Sequence, residues 1–418
     1  MSVSVEAGTR PGGGSGSILP VSLVSLGHGG IHLVAAVFYL LLPSIRVELG
    51  LDYAQIGVLV SVFFIASLAA NFPSGLLVDT LGRHAQLQAA ALMVGGLALV
   101  GMGLTHSFVV LAACVALIGA TNMLWHPAAI PFLSDLYPRR RGLMLSVHGL
   151  GASAGDALGP LFAGVLIVWF GWQGAAVGGG LVAPLIGLLI LLLLAGPAGE
   201  RRLASVRESA DVAPASRPGG SYRAGMWALV RQKAIWALCL MAGLRSVTQA
   251  GLLTFLPLYM ADVLGFSTVL MGVVLMGLQL GGAAAGPIAG HLSDRHGRRR
   301  VVMAGLTGTT VLVLSMPLID NQMFLVGLVA ALGFFMYAVR PVIHSWAMDL
   351  CPAGLGGSMT SLMFGAQSGL SALMPVVGGV IADSYGLVAV FYCLGVTVLI
   401  ANASALLVPR SIAWAPDR

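Results

Sequence analysis

Residues 73–83 read PSGLLVDTLGR and residues 287–298 read PIAGHLSDRHGR, and each segment lies between two long apolar runs. Both contain the pattern G-x-x-x-D-x-x-G-R, at positions separated by about half the chain. The members of the two copies are Gly75, Asp79, Gly82, Arg83, Gly290, Asp294, Gly297 and Arg298. A short charged turn between apolar runs is typical of a loop between membrane helices, so the repeat predicts two related helical halves.

The composition excludes a soluble globular enzyme. Of the 418 residues, 58% are hydrophobic and 9% are charged, against a usual charged share of about 25%. Because such a chain cannot cover itself with polar surface, we predict an all-α membrane protein with lipid as its solvent. The four cysteines lie singly, and we find no phosphate loop, zinc spacing or hydrolytic triad, so we expect no disulfide framework, metal site or cofactor.

Twelve apolar runs are long enough to cross a bilayer. They lie near residues 20–43, 54–78, 86–105, 108–134, 142–168, 173–196, 234–260, 268–292, 300–318, 322–348, 356–381 and 387–408. We therefore divide the chain into an N-terminal tail, a six-helix half, a polar cytoplasmic linker, a second six-helix half and a C-terminal tail. Their ranges are 1–19, 20–196, 197–233, 234–408 and 409–418.

Positive charge predicts the orientation in the membrane. Of the 21 Lys and Arg residues, all except Arg46, Arg245 and Arg340 fall in the tails, the linker or the loops of one side. We therefore predict that both termini are cytoplasmic, in what we expect to be a bacterial inner membrane. The same distribution accounts for the net charge of +6 without a nucleic-acid partner.

The two halves match at a second place. Residues 135–142 and 349–356 share the pattern D-L-x-P-x-x-x-G, again separated by about half the chain. With the charged turns, this repeat resembles the major facilitator superfamily over residues 20–408. The resemblance implies two six-helix halves related by pseudo-two-fold symmetry, with a binding site near mid-membrane between them. It also implies that Asp79, Arg83, Asp294 and Arg298 latch the cytoplasmic side in the outward-facing state; the alternative is that these charges only set the topology.

A glycine-rich motif lies on the fifth run, where a spacing of four places small residues on one helix face for close packing. Its members are Gly151, Gly155, Gly159 and Pro160. The motif is similar to one in the antiporters of the superfamily, which implies export. The match is partial, since Asp156 stands where those antiporters commonly have proline.

A narrower resemblance is to the fosmidomycin-resistance group of drug exporters. It rests on His28, on residues 39–43 and 55–57, on Trp-His-Pro at 125–127 and on residues 155–160. Members usually have Asn-Asp where this chain has Ile31 and His32, and often Glu where it has Ala128. Proton coupling by the route of that group would therefore lack two acids here.

Ionisable side chains inside the membrane are costly and usually face a cavity or a partner. We predict that seven of them bind substrate or carry protons: His28, His32, His126, Asp156, Arg245, Arg340 and His344. Six of these lie on helices one, four, seven and ten, which line the cavity in the superfamily. His28 and His32 share a helix face because they are four residues apart. The alternative for the histidines, including His148 near the helix end, is a structural role as hydrogen-bonded neutral rings.

Asp156 is the carboxylate expected deep in the membrane, either as a proton carrier or as a structural partner of an arginine or histidine. Arg245 and Arg340 leave an excess of positive charge, which predicts an anionic substrate, because guanidinium groups suit carboxylates and phosphates. Arg340 could instead pair with Asp349 at the end of its helix.

The sequence therefore predicts a monomeric secondary active transporter that uses protons to export a small, anionic organic compound or drug. An importer of an organic acid or sugar, a lipid flippase, and a transporter-like receptor that binds ligand without flux are the alternatives. The lack of an ATP-binding motif means that active transport would depend on a gradient.

Overall fold

The computed structural model describes residues 18–196, 227, 229–319, 321–351 and 355–409. The expected N-terminal tail up to residue 17, most of the expected linker (197–226 and 228) and the last residues, 410–418, lie outside the described residues. Within the described ranges the chain is helical and forms no strand.

Twelve membrane-crossing helices follow in chain order, which confirms the predicted fold class. The first four are α1 (Leu19–Leu49), α2 (Tyr53–Leu81), α3 (His84–Gly103) and α4 (Phe108–Leu136). Helices α5 and α6 occupy Arg141–Ile190, and a π-helical turn, Leu191–Ala195, extends α6. The second half contains α7 (Lys233–Asp262), α8 (Thr268–His296), α9 (Arg298–Ser315), α10 (Gln322–Asp349), α11 (Gly356–Ser371 and Met374–Tyr385) and α12 (Leu387–Ser404).

The division between α5 and α6 depends on one glycine. The backbone is helical from Arg141 to Ile190 except at Gly171, whose φ of 67° and ψ of 178° break the helix. If this segment is counted as one, the described chain has 11 candidate membrane spans, and the longest, Pro138–Ala195, has 58 residues. Since about 20 residues cross a bilayer, that segment crosses twice, as 141–170 (α5) and 172–190 (α6).

The second glycine of each charged turn adopts a backbone conformation that favours glycine. Gly82 ends α2 with a φ of 60°, and Gly297 separates α8 from α9 with a φ of 90°. Residues with a side chain rarely adopt such angles. The glycines therefore permit each pair of helices to be joined by a turn of only one or two residues, with the charges of the turn close to both helix ends.

Close packing of α1 against α5 holds the N-terminal half together. A Cβ atom on Gly151 would overlap the backbone carbonyl of Ser25, and one on Gly155 would overlap that of Gly29. These two glycines thus lie where the backbones of α1 and α5 approach too closely for any side chain. The contact fixes the position of α1 along the axis of α5. It therefore also fixes the relative positions of the polar residues on the two helices.

Polar contacts between the halves cluster on one side of the membrane. We call the side with the Asp79 and Asp294 loops the motif side, and the opposite side the far side. On the far side, the Asp383 carboxylate of α11 accepts hydrogen bonds from the backbone N–H groups of Tyr53 (3.0 Å) and Ala54 (2.9 Å), which begin α2. Further along, Ser61 of α2 donates to the carbonyl of residue 372 (2.6 Å).

Ion pairing adds to the far-side contact. Arg46 at the end of α1 forms an ion pair with Asp262 at the end of α7 (3.0 Å). Asp262 also accepts a hydrogen bond from the Tyr53 hydroxyl (3.0 Å), and the Arg46 guanidinium lies 4.6 Å from the centre of the Tyr53 ring. In this conformation the two halves are therefore held together on the far side.

Candidate functional site

Four histidines of the N-terminal half lie side by side in the membrane. His28 on α1 is buried, and its Nδ1 is 2.9 Å from the backbone carbonyl oxygen of His148 on α5. The two rings stack with their centres 3.9 Å apart. Since a carbonyl can only accept, His28 donates from Nδ1, which leaves its Nε2 as the free acceptor of the neutral ring.

His32, one turn further along α1, contacts the deep carboxylate. Its Nδ1 lies 3.0 Å from Oδ2 of Asp156 on α5. The ring centre is 4.8 Å from that of His28. Of the partners that the sequence allowed for Asp156, an arginine or a histidine, the structure places a histidine beside it.

His126 on α4 completes the group. Its ring centre lies 5.3 Å from that of His28 and 6.3 Å from that of His32. The fully buried Trp125 packs behind, stacked with His28 at 6.1 Å. The structure thus brings together four of the predicted residues, His28, His32, His126 and Asp156, with His148 as a further neighbour.

The predicted residues of the C-terminal half form a second group. Arg245 on α7 is 3% exposed and donates hydrogen bonds to Gln249 Oε1 and Ser246 Oγ, both at 3.1 Å. No carboxylate among the described residues pairs with it. The guanidinium is therefore buried with neutral partners only, and its charge remains uncompensated there.

Arg340 on α10 is exposed, and its charge interacts with Arg245, with His344 of its own helix and with His126 of the other half. The alternative partner that the sequence allowed, Asp349, instead accepts a hydrogen bond from Arg298 (3.0 Å). Arg245, Arg340 and His344 therefore lie within electrostatic range of one another, and Arg340 lies within range of His126 in the other half.

A small cavity lies between the two halves, beside Asp156. Its volume is about 40 Å³, and its lining includes Tyr39 and Asp156 from one half and Leu253, Leu275 and Gln279 from the other. That volume accommodates one or two waters, but not an organic substrate. Asp156 thus faces the interface between the halves.

The two charged turns are similar in sequence but differ in their contacts. Arg298 contacts Asp294 of its own turn, donates to Ser293 Oγ (2.7 Å) and pairs with Asp349 at the end of α10. Asp79 and Arg83 are exposed, and the described part of the chain offers them no hydrogen bond or ion pair. The turn of the C-terminal half is thus connected within its half, while that of the N-terminal half is free.

Sequence reasoning missed the far-side contacts. The charge pattern of the sequence does not predict that Arg46, Asp262 and Asp383 join the halves. The available signal was Arg46, which lies outside the tails, linker and loops that hold most of the basic residues. A cation that opposes the charge asymmetry needs a partner.

Comparisons with known proteins agree with this architecture. The sequence profile of the family described as Major Facilitator Superfamily matches residues 24–285 and 238–417. The chain is 28% identical over 370 residues to the probable nitrate/nitrite transporter NarK2 of Mycobacterium tuberculosis (strain ATCC 25618 / H37Rv), covering 85% of this chain and 86% of the relative. It is 24% identical over 365 residues to the fosmidomycin resistance protein of Escherichia coli (strain K12), covering 86% and 85%.

Among solved structures, the fold is similar to that of a bacterial homologue of the human lysosomal transporter Spinster, in an inward-facing and unoccupied conformation. The TM-score is 0.75 at 15% sequence identity, over 95% of this chain and 98% of that one. The two resemblances predicted from the charged turns and from the short motifs of helices one, four and five are confirmed by these matches.

Proposed function

The chain belongs to the Major Facilitator Superfamily of transporters, and from this premise we propose that it exports a small anionic organic compound in exchange for protons. It is an integral, multi-pass membrane protein. Transport would proceed by alternating access, with the two halves rocking about a substrate held between them. This function makes the chain a transporter and not an enzyme.

The observation that carries the proposal is the buried, uncompensated guanidinium of Arg245. Removing a charge from water costs several kcal/mol even after relaxation, and neutral hydrogen-bond partners recover only part of that cost. Arg340 adds a second positive charge nearby, which raises the cost further. A substrate carboxylate or phosphate between the two would offset it, and guanidinium groups bind such anions in a bidentate geometry.

The substrates of one relative support the same class of ligand. The name of NarK2 refers to nitrate and nitrite, which are both anions. The fosmidomycin resistance protein is named for resistance to a drug, which supports export as the direction. The glycine motif of α5 supports export as well, through its resemblance to the antiporters of the superfamily.

Protons are the driving ion in this proposal. The sequence has no nucleotide-binding motif, so a gradient must supply the energy. A hard cation such as Na⁺ prefers a cage of several oxygen ligands. The described histidines and Asp156 at the centre are groups that exchange protons, which favours protons as the coupling ion.

The charge asymmetry supports an orientation with the motif side and both termini in the cytoplasm. The conformation, held together on the far side, is then closed to the outside. An exporter would take up its substrate from the cytoplasm in this state. We propose a bacterial inner membrane as the location and the monomer as the transporting unit.

The test is proton flux in proteoliposomes that contain a pH-sensitive dye, challenged with a panel of organic anions, cations and neutral drugs. We expect proton movement in response to anions, and a matched panel under a sodium gradient should show none. Arg245→Gln should abolish the response, whereas Arg231→Gln, an exposed arginine just before α7, should retain it.

Two results would contradict the proposal. A response confined to cations or neutral compounds would exclude an anionic substrate. Full activity in both Arg245→Gln and Arg340→Gln would show that the arginines do not bind the substrate. Direction follows from whole cells, where an exporter lowers the accumulation of the active anion and an importer raises it.

A further inference from the structure

The histidine cluster of the N-terminal half has the composition of a metal site. One ring nitrogen from each of His28, His32 and His126 lies within 4.8 Å of the others. Two of the three come from α1 at a spacing of four, which is the spacing of helical histidine pairs that bind zinc together. The third comes from α4, which packs beside α1.

The hydrogen bonds of the two α1 histidines leave the same atom free in each. Nδ1 of His28 is held by the His148 carbonyl and Nδ1 of His32 by the Asp156 carboxylate. Nε2 of both rings is buried and has no hydrogen-bond partner. Histidines that ligate metals show this arrangement, in which one nitrogen donates to a carbonyl or carboxylate and the other faces the ion.

We propose that His28, His32 and His126 bind a divalent first-row transition-metal ion of the Zn²⁺ type. His28 and His32 would bind through Nε2 and His126 through one ring nitrogen, while water fills the fourth position. Asp156 and the His148 carbonyl would orient the rings from behind. Three neutral imidazoles favour Zn²⁺, Ni²⁺ or Cu²⁺ over Mg²⁺ and Ca²⁺, which prefer oxygen ligands.

The geometry requires only a small contraction. Zn–N bonds of about 2.0–2.1 Å in a tetrahedral site place ligand nitrogens roughly 3.4 Å apart. One nitrogen of each ring lies within 4.8 Å of the others, so these separations must shorten by up to about 1.4 Å, and rotations of the three side chains would have to supply this. All three ligands belong to one half, so rocking of the halves against each other would not dismantle the site.

Co²⁺ is the probe for the test, because its visible absorption reports tetrahedral nitrogen ligation directly. The untagged full-length chain in lipid nanodiscs should bind one equivalent of Co²⁺ that Zn²⁺ displaces. His126→Gln should weaken Co²⁺ binding by more than about 100-fold, and Asp156→Asn, which removes only the support of His32, by about 10–100-fold. His291→Gln, which changes an exposed histidine on α8, should leave binding unchanged.

A variant that gains an absorption band distinguishes the loss of a metal ligand from misfolding. His126→Cys keeps a ligand at the same position, and should retain Co²⁺ with a new thiolate-to-metal band in the near ultraviolet. The proposal is overturned if the wild-type chain binds no stoichiometric Co²⁺, or if folded His126→Gln binds it as tightly as wild type. No anion is present in this measurement, so its outcome is independent of the proposed transport function.

Discussion

The contact between Asp383 and the first turn of α2 should control the balance between the two conformations of the transporter. The carboxylate of α11 accepts two backbone N–H groups across the interface between the halves. These groups are otherwise unsatisfied at a helix N-terminus, which also attracts negative charge. Opening the far side must break this contact, so weakening it favours the open state.

The change Asp383→Asn keeps the shape of the side chain and removes its charge and one of its two acceptors. Hydrogen bonds to charged groups contribute about 1.5–3 kcal/mol each. Asp383 is exposed to solvent, so screening reduces the loss to about 1–2 kcal/mol. The ratio of far-side-closed to far-side-open molecules should therefore fall by about 5–30-fold.

Spin labels at Leu104 and Leu318 would measure this ratio. The two residues are 74% and 73% exposed and lie at the far-side ends of α3 and α9, one in each half. Pulsed electron paramagnetic resonance, in a chain whose four cysteines are replaced by alanine, should show a second population at longer distance in Asp383→Asn.

The matched control is Asp52→Asn. Asp52 also caps α2, accepting from the backbone N–H of Gln55 at 2.6 Å, but both residues belong to the same half. The control removes a cap of the same helix without touching the interface. If Asp52→Asn and Asp383→Asn give the same distance distribution as wild type, the contact does not hold the halves together and the reasoning fails.

Three further predictions concern packing, a partly buried hydrogen bond and the charged turn of the N-terminal half. Gly155→Ala should lower the melting temperature in detergent and the stability by about 1–3 kcal/mol, because its Cβ would overlap the backbone of α1. Gly149→Ala should leave the melting temperature unchanged, because no atom lies within 4 Å of the new Cβ. Glu48→Ala should lower the stability in thermal melting by about 1–3 kcal/mol, since it removes the acceptor of the Trp172 indole N–H (2.7 Å). Glu48→Gln keeps an acceptor oxygen, so most of the wild-type stability should be retained. Asp79→Asn should not lower the melting temperature, because Asp79 has no partner among the described residues in this conformation. It should shift the spin-label distances in the direction opposite to Asp383→Asn. A shift in the same direction as Asp383→Asn would contradict a role of Asp79 as a latch.

The sequence was sufficient for the architecture because a bilayer imposes strict requirements. Apolar runs of about 20 residues have few alternatives to a spanning helix, and the duplicated turns at Asp79 and Asp294 identify the two halves. The sequence also separates the runs 142–168 and 173–196 at this point, and the structure shows that α5 and α6 join there without a loop, divided only by the backbone angles of Gly171.

The site was predictable as a set of residues but not as an arrangement. Periodicity placed His28 and His32 on one face of α1, yet it could not show that His32 would meet Asp156 or that His126 would complete a triangle. Those distances depend on the axial position at which α1 packs against α5 and α4. That position depends on backbone contacts such as Gly155 against Gly29, which a single sequence does not reveal.

The far-side contacts give a reason for the exposure of the charged turn in the N-terminal half. If the halves rock as nearly rigid bodies, closing them on one side separates them on the other, and only one set of contacts forms at a time. Here the far side has its contacts, and Asp79 and Arg83 have no hydrogen bond or ion pair with any residue in the described ranges. A Cβ atom on Gly75 or Gly290 would also meet nothing within 4 Å, so the close approach that these glycines permit is unused in this state. Asp79 and Arg83 are exposed and have no partner among the described residues, as expected if they latch the motif side only in the opposite conformation.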